Sequence, residues 1–299
     1  TRRPMKKFSY SKQLVIYAKE RFPVILTLLY SLLYASSIRS FLKSSETAPV
    51  FTTITTYAIA FTLFCFFLRL RLVDDIKDFA YDAMHHTDRP VARGDVSADF
   101  ILRLALAIAL IEIGIQLLLP LPAIVAYALL AFYSLLMHHE FFMKGFLATR
   151  VSLAVTLHQM IFFFHVLYAA SVVTGRFFVP RALNDWLLFP ILMTPPLLFE
   201  LGRKLAHRSD TEGNITDDTY AAHWGQSKTF ALIIGASSIQ ILALYLASPS
   251  PLIAVYILFT SFIALLYVSR PAYVIQTAKI WSVCLALIGL ITFQINALL

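Results

Sequence analysis

Nine apolar runs, each close to the roughly 20 residues that a helix needs to cross a bilayer, leave this chain few ways to fold. They fall at 22–38, 51–70, 100–119, 121–137, 151–173, 186–199, 229–247, 252–268 and 277–298. The 299 residues are 59% hydrophobic and only 14% charged, against averages of roughly 45–50% and 25% in soluble domains. The runs are continuous, whereas a transmembrane barrel would need strict alternation. The expectation is an all-α integral membrane bundle of nine transmembrane helices, formed by a single domain over 1–299. Pro190, Pro195 and Pro196 should break or kink the sixth. The basic start, 1–7, precedes an apolar run too long for a cleavable signal and without a small-residue cleavage site, so the first span is expected to stay in the membrane.

Charge placement sets an orientation. All but four of the 25 Lys and Arg residues precede the first run or lie in and beside the connections at 71–99, 138–150, 200–228 and 269–279. The exceptions are Arg39, Lys43, Arg176 and Arg181. By the positive-inside rule the amino terminus is cytoplasmic and, with nine spans, the carboxyl terminus is outside. This fits the cytoplasmic membrane. The net charge of +8 then reflects topology and attraction to anionic lipid headgroups, with no call for nucleic acid. Cys65 and Cys284 both lie within runs and are expected as free thiols. Nothing in the sequence sets an oligomeric state.

Two of the inner connections are about 25 residues long, beyond what a plain loop needs. The first holds Asp74, Asp75, Asp78 and Asp82 directly behind an apolar run, then Asp88-Arg89-Pro90-Val91-Ala92-Arg93-Gly94. Asp75, Asp78 and Asp82 stand at i, i+3 and i+7, so a helix running through them would carry all three on one face. Like charges set side by side call for a cation. Mg²⁺ suits such oxygen donors, because it takes one or two carboxylates, keeps waters and completes its shell from substrate phosphate. Arg89 and Arg93, four apart, could share a phosphate if helical. The second connection mixes Glu200, Asp210, Glu212, Asp217 and Asp218 with Arg203, Lys204 and Arg208. Within the spans, Glu112, His158, Gln159 and His165 are costly polar groups. The two histidines share a helical face and could bind or deprotonate an acceptor; hydrogen bonding between helices would serve equally.

The string Asp74-Asp75-x-x-Asp78-x-x-x-Asp82, followed by Arg89-Pro90 and Gly94, resembles the first motif of the UbiA superfamily of intramembrane prenyltransferases, which are built from nine transmembrane helices. The resemblance implies that Asp75, Asp78 and Asp82, with Asp74, hold Mg²⁺ against a prenyl diphosphate, and that Arg21, Arg89 and Arg93 lie near the diphosphate. Thr219-Tyr220-Ala221-Ala222-His223-Trp224-Gly225 fits the end of the second motif. Before it, Glu200 and Lys204 fill the helical spacing of an Asp-x-x-x-Asp pair, so a base replaces one acid. Glu200 and Asp218 are then the expected metal contacts there, with Arg203 and Lys204 on the diphosphate. After Tyr133-Ser134, His138 and His139 stand where many members carry Lys-Arg, and Lys144 and Arg150 could restore that charge. The implied reaction is Mg²⁺-dependent ionisation of a prenyl diphosphate and transfer of the prenyl group to an aromatic or lipid acceptor in the membrane. The alternatives are a terpene cyclase of the same type and, from another class, a transporter. A transporter would favour acids near the bilayer midplane, whereas these sit at its inner boundary.

Overall fold

The computed structural model describes residues 8–43, 53–210 and 212–296. It comprises fourteen α-helices in the order α1 Tyr10–Glu20, α2 Val24–Lys43, α3 Thr53–Lys77, α4 Phe79–His85, α5 Ala98–Gln116, α6 Leu121–His138, α7 Lys144–Ala148, α8 Val151–Gln159, α9 Ile161–Thr174, α10 Leu183–Arg203, α11 Tyr220–Trp224, α12 Gln226–Ala247, α13 Leu252–Ser269 and α14 Pro271–Asn296. No named strand forms among the described residues; the only pairing outside helices is an isolated bridge between Ser209 and Ile215. Lipid offers the backbone no hydrogen-bond partners, and helices satisfy their own.

Within the described residues each of the nine apolar runs falls largely on helix, but their credentials differ. Seven segments among the described residues are long and apolar enough to cross a membrane: Val24–Leu42, Ile54–Lys77, Leu121–His138, Val151–Thr174, Gln226–Ala247, Leu252–Ser269 and Pro271–Asn296. The fourth of these joins α8 and α9 across Met160. The two expected spans outside that set are α5 and α10. Asp99, Arg103 and Glu112 give α5 its polarity. Glu112 is fully buried and neutralised, taking the Nε and Nη2 of Arg69 on α3 at 3.0 Å each and the hydroxyl of Tyr127 on α6. Polarity at this point pins three helices together.

Of the break or kink expected at the α10 prolines, the break does not occur: α10 runs from Leu183 to Arg203 through Pro190, Pro195 and Pro196. Pro195 has no N–H to offer the Ile191 carbonyl one turn earlier. The Gln240 side chain of α12 takes that place, donating to Ile191 O at 2.9 Å, while its own oxygen accepts from the Tyr256 hydroxyl of α13 at 2.7 Å. A neighbouring helix has repaired the ladder.

α10 packs chiefly on α14 and α12, and α3 chiefly on α5 and α2. Both also touch α9, and neither packs extensively on the other. The approach of α10 to α14 needs Gly202, where a Cβ would stand 2.1 Å from Ser282 Oγ and 3.0 Å from the Ala278 carbonyl. Cys65 and Cys284 are free, as expected.

Gln240→Leu should strand the Ile191 carbonyl and the Tyr256 hydroxyl and cost about 1–2 kcal/mol, read as a lower melting temperature of the detergent-solubilised protein. An unchanged melting temperature would contradict the repair.

Candidate active site

The inner end of α3 is held in place before any chemistry begins. Tyr17 and Phe22 insert among Leu72, Val96, Phe100, Ile101 and Ala105 in an apolar cluster separate from the main core. Gln13 of α1 ties into the start of α5, its oxygen accepting from Ser97 N at 2.9 Å and Ser97 Oγ at 3.2 Å. Between those anchors, Arg21 is delivered to the acids. α3 ends at Lys77 and α4 begins at Phe79, with Asp78 alone between them, yet the helical ladder nearly continues: Asp78 N reaches Asp74 O at 2.8 Å and Asp82 N reaches Asp78 O at 2.9 Å.

The four aspartates divide into two pairs. Asp75 and Asp82 are buried, at 3% and 4% exposure. Asp75 accepts both arms of the Arg21 fork, with Nε at 3.2 Å, and meets Arg71 Nη2 at 3.3 Å. Asp82 accepts Arg89 Nη1, and Arg21 approaches its other oxygen at 3.9 Å. Asp74 and Asp78 are exposed and, among the described residues, carry no ion pair. Desolvation, with the Asp82 charge adding to it, raises the Asp78 carboxyl above the usual range, and Lys77 only partly offsets this.

Arg89 and Arg93 do not converge. Gly94, at φ 81°, closes a turn in which Asp95 N and Val96 N both reach the Pro90 carbonyl, at 2.9 and 3.1 Å. That turn directs Arg93 away from the acids, onto Glu20 at 2.7 Å, onto Asp95 and onto the Asp88 carbonyl. Arg93 therefore ties the loop to α1, while Arg89 stays with Asp82.

The second connection folds over the first. Tyr81 of α4 donates to Asp217 at 3.0 Å, and His86 Nε2 lies 3.5 Å from Asp218. Asp218 is further held by Arg208 at 2.7 Å and the Thr216 hydroxyl at 2.6 Å. Burial opposes its charge, but Thr216 and Arg208 outweigh that and keep its carboxyl below the ordinary range. Glu200 receives Arg203, Lys204 at 3.0 Å and the Tyr220 hydroxyl at 3.3 Å. Here too burial is overridden, chiefly by Arg203 and Lys204, and the carboxyl is held well below the ordinary range. Burial opposes the Arg203 charge, but Glu200 chiefly, and Asp74 of α3 least, raise its guanidinium, so the ends of α3 and α10 are within electrostatic reach.

The six expected metal ligands, Asp74, Asp75, Asp78, Asp82, Glu200 and Asp218, do not form one preassembled cage; among the described residues no three His, Cys, Asp or Glu side chains do. Lys144 opens α7 and is exposed. Arg150 lies over the Phe146 ring at 3.9 Å. His139 stacks on Phe142 and touches His138, and Glu140, Phe141 and Phe142 form a left-handed turn at φ 49°, 55° and 58°. Lys77 reaches back to Glu140 at 2.8 Å. In the bundle interior Glu112 is the Arg69 partner described above. His158 turns its Nδ1 to the Ala154 carbonyl at 2.7 Å. His165 does the same to Ile161 at 3.0 Å, among the rings of Phe66, Phe67 and Phe162. Gln159 Oε1 is buried without a partner among the described residues.

Sequence reasoning missed Arg71, although its place four residues before Asp75 is the ion-pair spacing of a helix. It also missed Tyr81 and His86, and gave Tyr220 and Arg208 no role, because their partners lie far away in the chain or in an irregular loop and leave no local signal.

The sequence matches no family model and no curated protein. Solved structures do match. A UbiA homologue from Aeropyrum pernix K1 aligns over 92% of this chain and 98% of its own at 16% identity, with a TM-score of 0.60. The chain has the UbiA fold. A digeranylgeranylglyceryl phosphate synthase aligns over 95% of this chain and 98% of its own at 15% identity, with a TM-score of 0.56. The resemblance carried by Asp74 to Gly94 is thus borne out in the architecture of the UbiA-like chain.

Removing one cation from a buried carboxylate is costly. Arg21→Met should destabilise the protein by about 2–3 kcal/mol, with Arg71 alone left to Asp75. Arg21→Met/Asp75→Leu should recover part of that loss in a thermal melt. Additive losses in the double variant would contradict a direct pair.

Proposed function

We propose that this UbiA-like chain is a Mg²⁺-dependent intramembrane prenyltransferase that ionises a prenyl diphosphate and passes the prenyl group to an aromatic or lipid acceptor. The observation that carries this reading is that the second connection folds onto the first, with Tyr81 on Asp217 and His86 against Asp218, which sets the acids Asp74 and Asp78, unpaired among the described residues, beside the basic end of α10 with Arg203 and Lys204. Both signs of charge at the mouth of a lipid-embedded bundle suit a ligand that is anionic at one end and apolar along the rest. The fold shared with a digeranylgeranylglyceryl phosphate synthase is consistent with it.

Asp74 and Asp78 have the chemistry to hold Mg²⁺, being hard oxygen donors with no cation of their own. The bound ion would supply positive charge to the diphosphate and so make it a better leaving group. Arg203 and Lys204 supply fixed positive charge from α10, and Arg71 from α3. Arg21, Arg71 and Arg89, locked onto Asp75 and Asp82, keep the acid-bearing segment rigid, so the charge that forms as the bond to oxygen breaks meets groups already oriented. Phe67 on α3 and Phe162 on α9, both half-buried, bring their ring centroids to 6.2 Å. Such rings exclude water from an allylic cation and stabilise it through their faces.

The remaining parts of the proposal follow from charge and length. The chain acts as one domain, in the cytoplasmic membrane among lipids, with the site on the side that carries most of the Lys and Arg.

Asp78→Asn should lower pyrophosphate release from geranyl, farnesyl or geranylgeranyl diphosphate at least 100-fold at saturating Mg²⁺, in the presence of a membrane lipid extract as acceptor. Full activity in Asp78→Asn would overturn the reading. Cyclic hydrocarbons formed with no acceptor present would assign cyclisation in place of transfer.

A further inference from the structure

We infer that this chain takes one divalent ion per diphosphate and no second one, because the α10 side meets the diphosphate with the Lys204 ammonium and the Arg203 guanidinium. The inference rests on the proposed diphosphate chemistry and adds the metal count and the residues that replace an ion.

The argument begins with lone pairs. A carboxylate has about four acceptor positions. Glu200 engages four donors, Oε2 taking Arg203 Nε and Oε1 taking Arg203 Nη2 at 2.8 Å, Lys204 Nζ at 3.0 Å and the Tyr220 hydroxyl at 3.3 Å, which leaves one lone pair of Oε2 beside two cations. A metal could take Glu200 only there, against those two cations, or by displacing one of them from a largely buried carboxylate. The acids of the following loop are committed too. Asp218 has Arg208 and Thr216, Asp217 has Tyr81, and Asp210 caps its own turn through the backbone of Glu212 and Asn214. Among the described residues of that loop Glu212 and Asp217 are exposed, Asp217 with one Tyr81 hydroxyl on one oxygen, and neither belongs to a group of three potential ligands.

Charge gives the same result. Glu200 contributes −1 where Arg203 and Lys204 contribute +2, so the tip of α10 is net positive. A dication is repelled there and a diphosphate is attracted. On the α3 side the balance reverses, because Asp74 and Asp78 are exposed, one helical turn apart and unpaired among the described residues. The asymmetry is written in the sequence at position 204, where a lysine stands four residues after Glu200 and folds back onto it. That lysine also lies over the Tyr220 ring at 4.6 Å, which fixes its direction.

The test counts metal directly. Purified full-length protein in detergent is titrated with Mn²⁺ in the presence of methylenediphosphonate, and bound Mn²⁺ per chain is read by electron paramagnetic resonance. One Mn²⁺ per chain is expected, lost in Asp74→Asn/Asp78→Asn and retained in Glu200→Gln. Lys204→Met should weaken methylenediphosphonate roughly tenfold or more while the Mn²⁺ count stays at one. Lys204→Asp, which places a second carboxylate opposite Glu200, should admit a second, weaker Mn²⁺. Two Mn²⁺ per wild-type chain, or a single one lost in Glu200→Gln and kept in the Asp74/Asp78 double variant, would overturn the inference while leaving the diphosphate reading intact. Failure of methylenediphosphonate to bind the wild type at all would instead sink that reading, and with it this inference. A thermal melt of each variant separates lost binding from lost folding.

Discussion

Two aspartates sit almost without solvent at the inner end of α3, and arginine forks are what make their burial tenable. An ionised carboxylate out of water costs several kcal/mol unless a cation with matching geometry accompanies it. Arg21, Arg71 and Arg89 fill that role for Asp75 and Asp82. Each comes from a different segment: Arg21 from the junction of α1 and α2, Arg71 from α3 itself, Arg89 from the loop after α4. The requirement therefore fixes where α1 lies, how α4 follows α3, and which way the Pro90–Gly94 turn faces. Asp74 and Asp78 are then left exposed and without an ion pair among the described residues, and the proposed chemistry starts from those two acids.

The same economy operates deeper in the bundle. Glu112 with Arg69 and Tyr127, and Gln240 with Ile191 and Tyr256, are polar contacts that lipid cannot replace. Each joins three helices and lets a segment of lower apolarity, α5 or α10, run unbroken. The helices around α3 and those around α10 meet through α9 and through the packing of α2 on α14.

Much of this was legible in the sequence, for physical reasons. The apolar runs mark helices because a backbone in lipid has so few alternatives. The aspartate spacing was legible only in part: periodicity puts Asp75, Asp78 and Asp82 on one face, but Asp75 and Asp82 are buried on arginines while Asp78, at the interruption between α3 and α4, is exposed with Asp74. Where reading failed, the cause lay in partners distant along the chain. Pro195 reads as a break only until Gln240, 45 positions on, is known to mend it. Arg93 reads as a companion to Arg89 until the positive φ of Gly94 turns it toward Glu20. Clamps such as Tyr81 to Asp217 join segments more than a hundred residues apart and have no local signature.

The central claim, that the gap between the inner ends of α3 and α10 receives a prenyl diphosphate, is tested most directly by locating the ligand. Crystals grown with Mn²⁺ and a non-hydrolysable thiolodiphosphate analogue of geranylgeranyl diphosphate would show the metal by its anomalous scattering. The account predicts a peak at bonding distance, about 2.1 Å, from a carboxylate oxygen of Asp74 or Asp78, with the diphosphate within hydrogen-bond reach of Arg203 or Lys204. A diphosphate held elsewhere, or metal bound without contact to either aspartate, would contradict it.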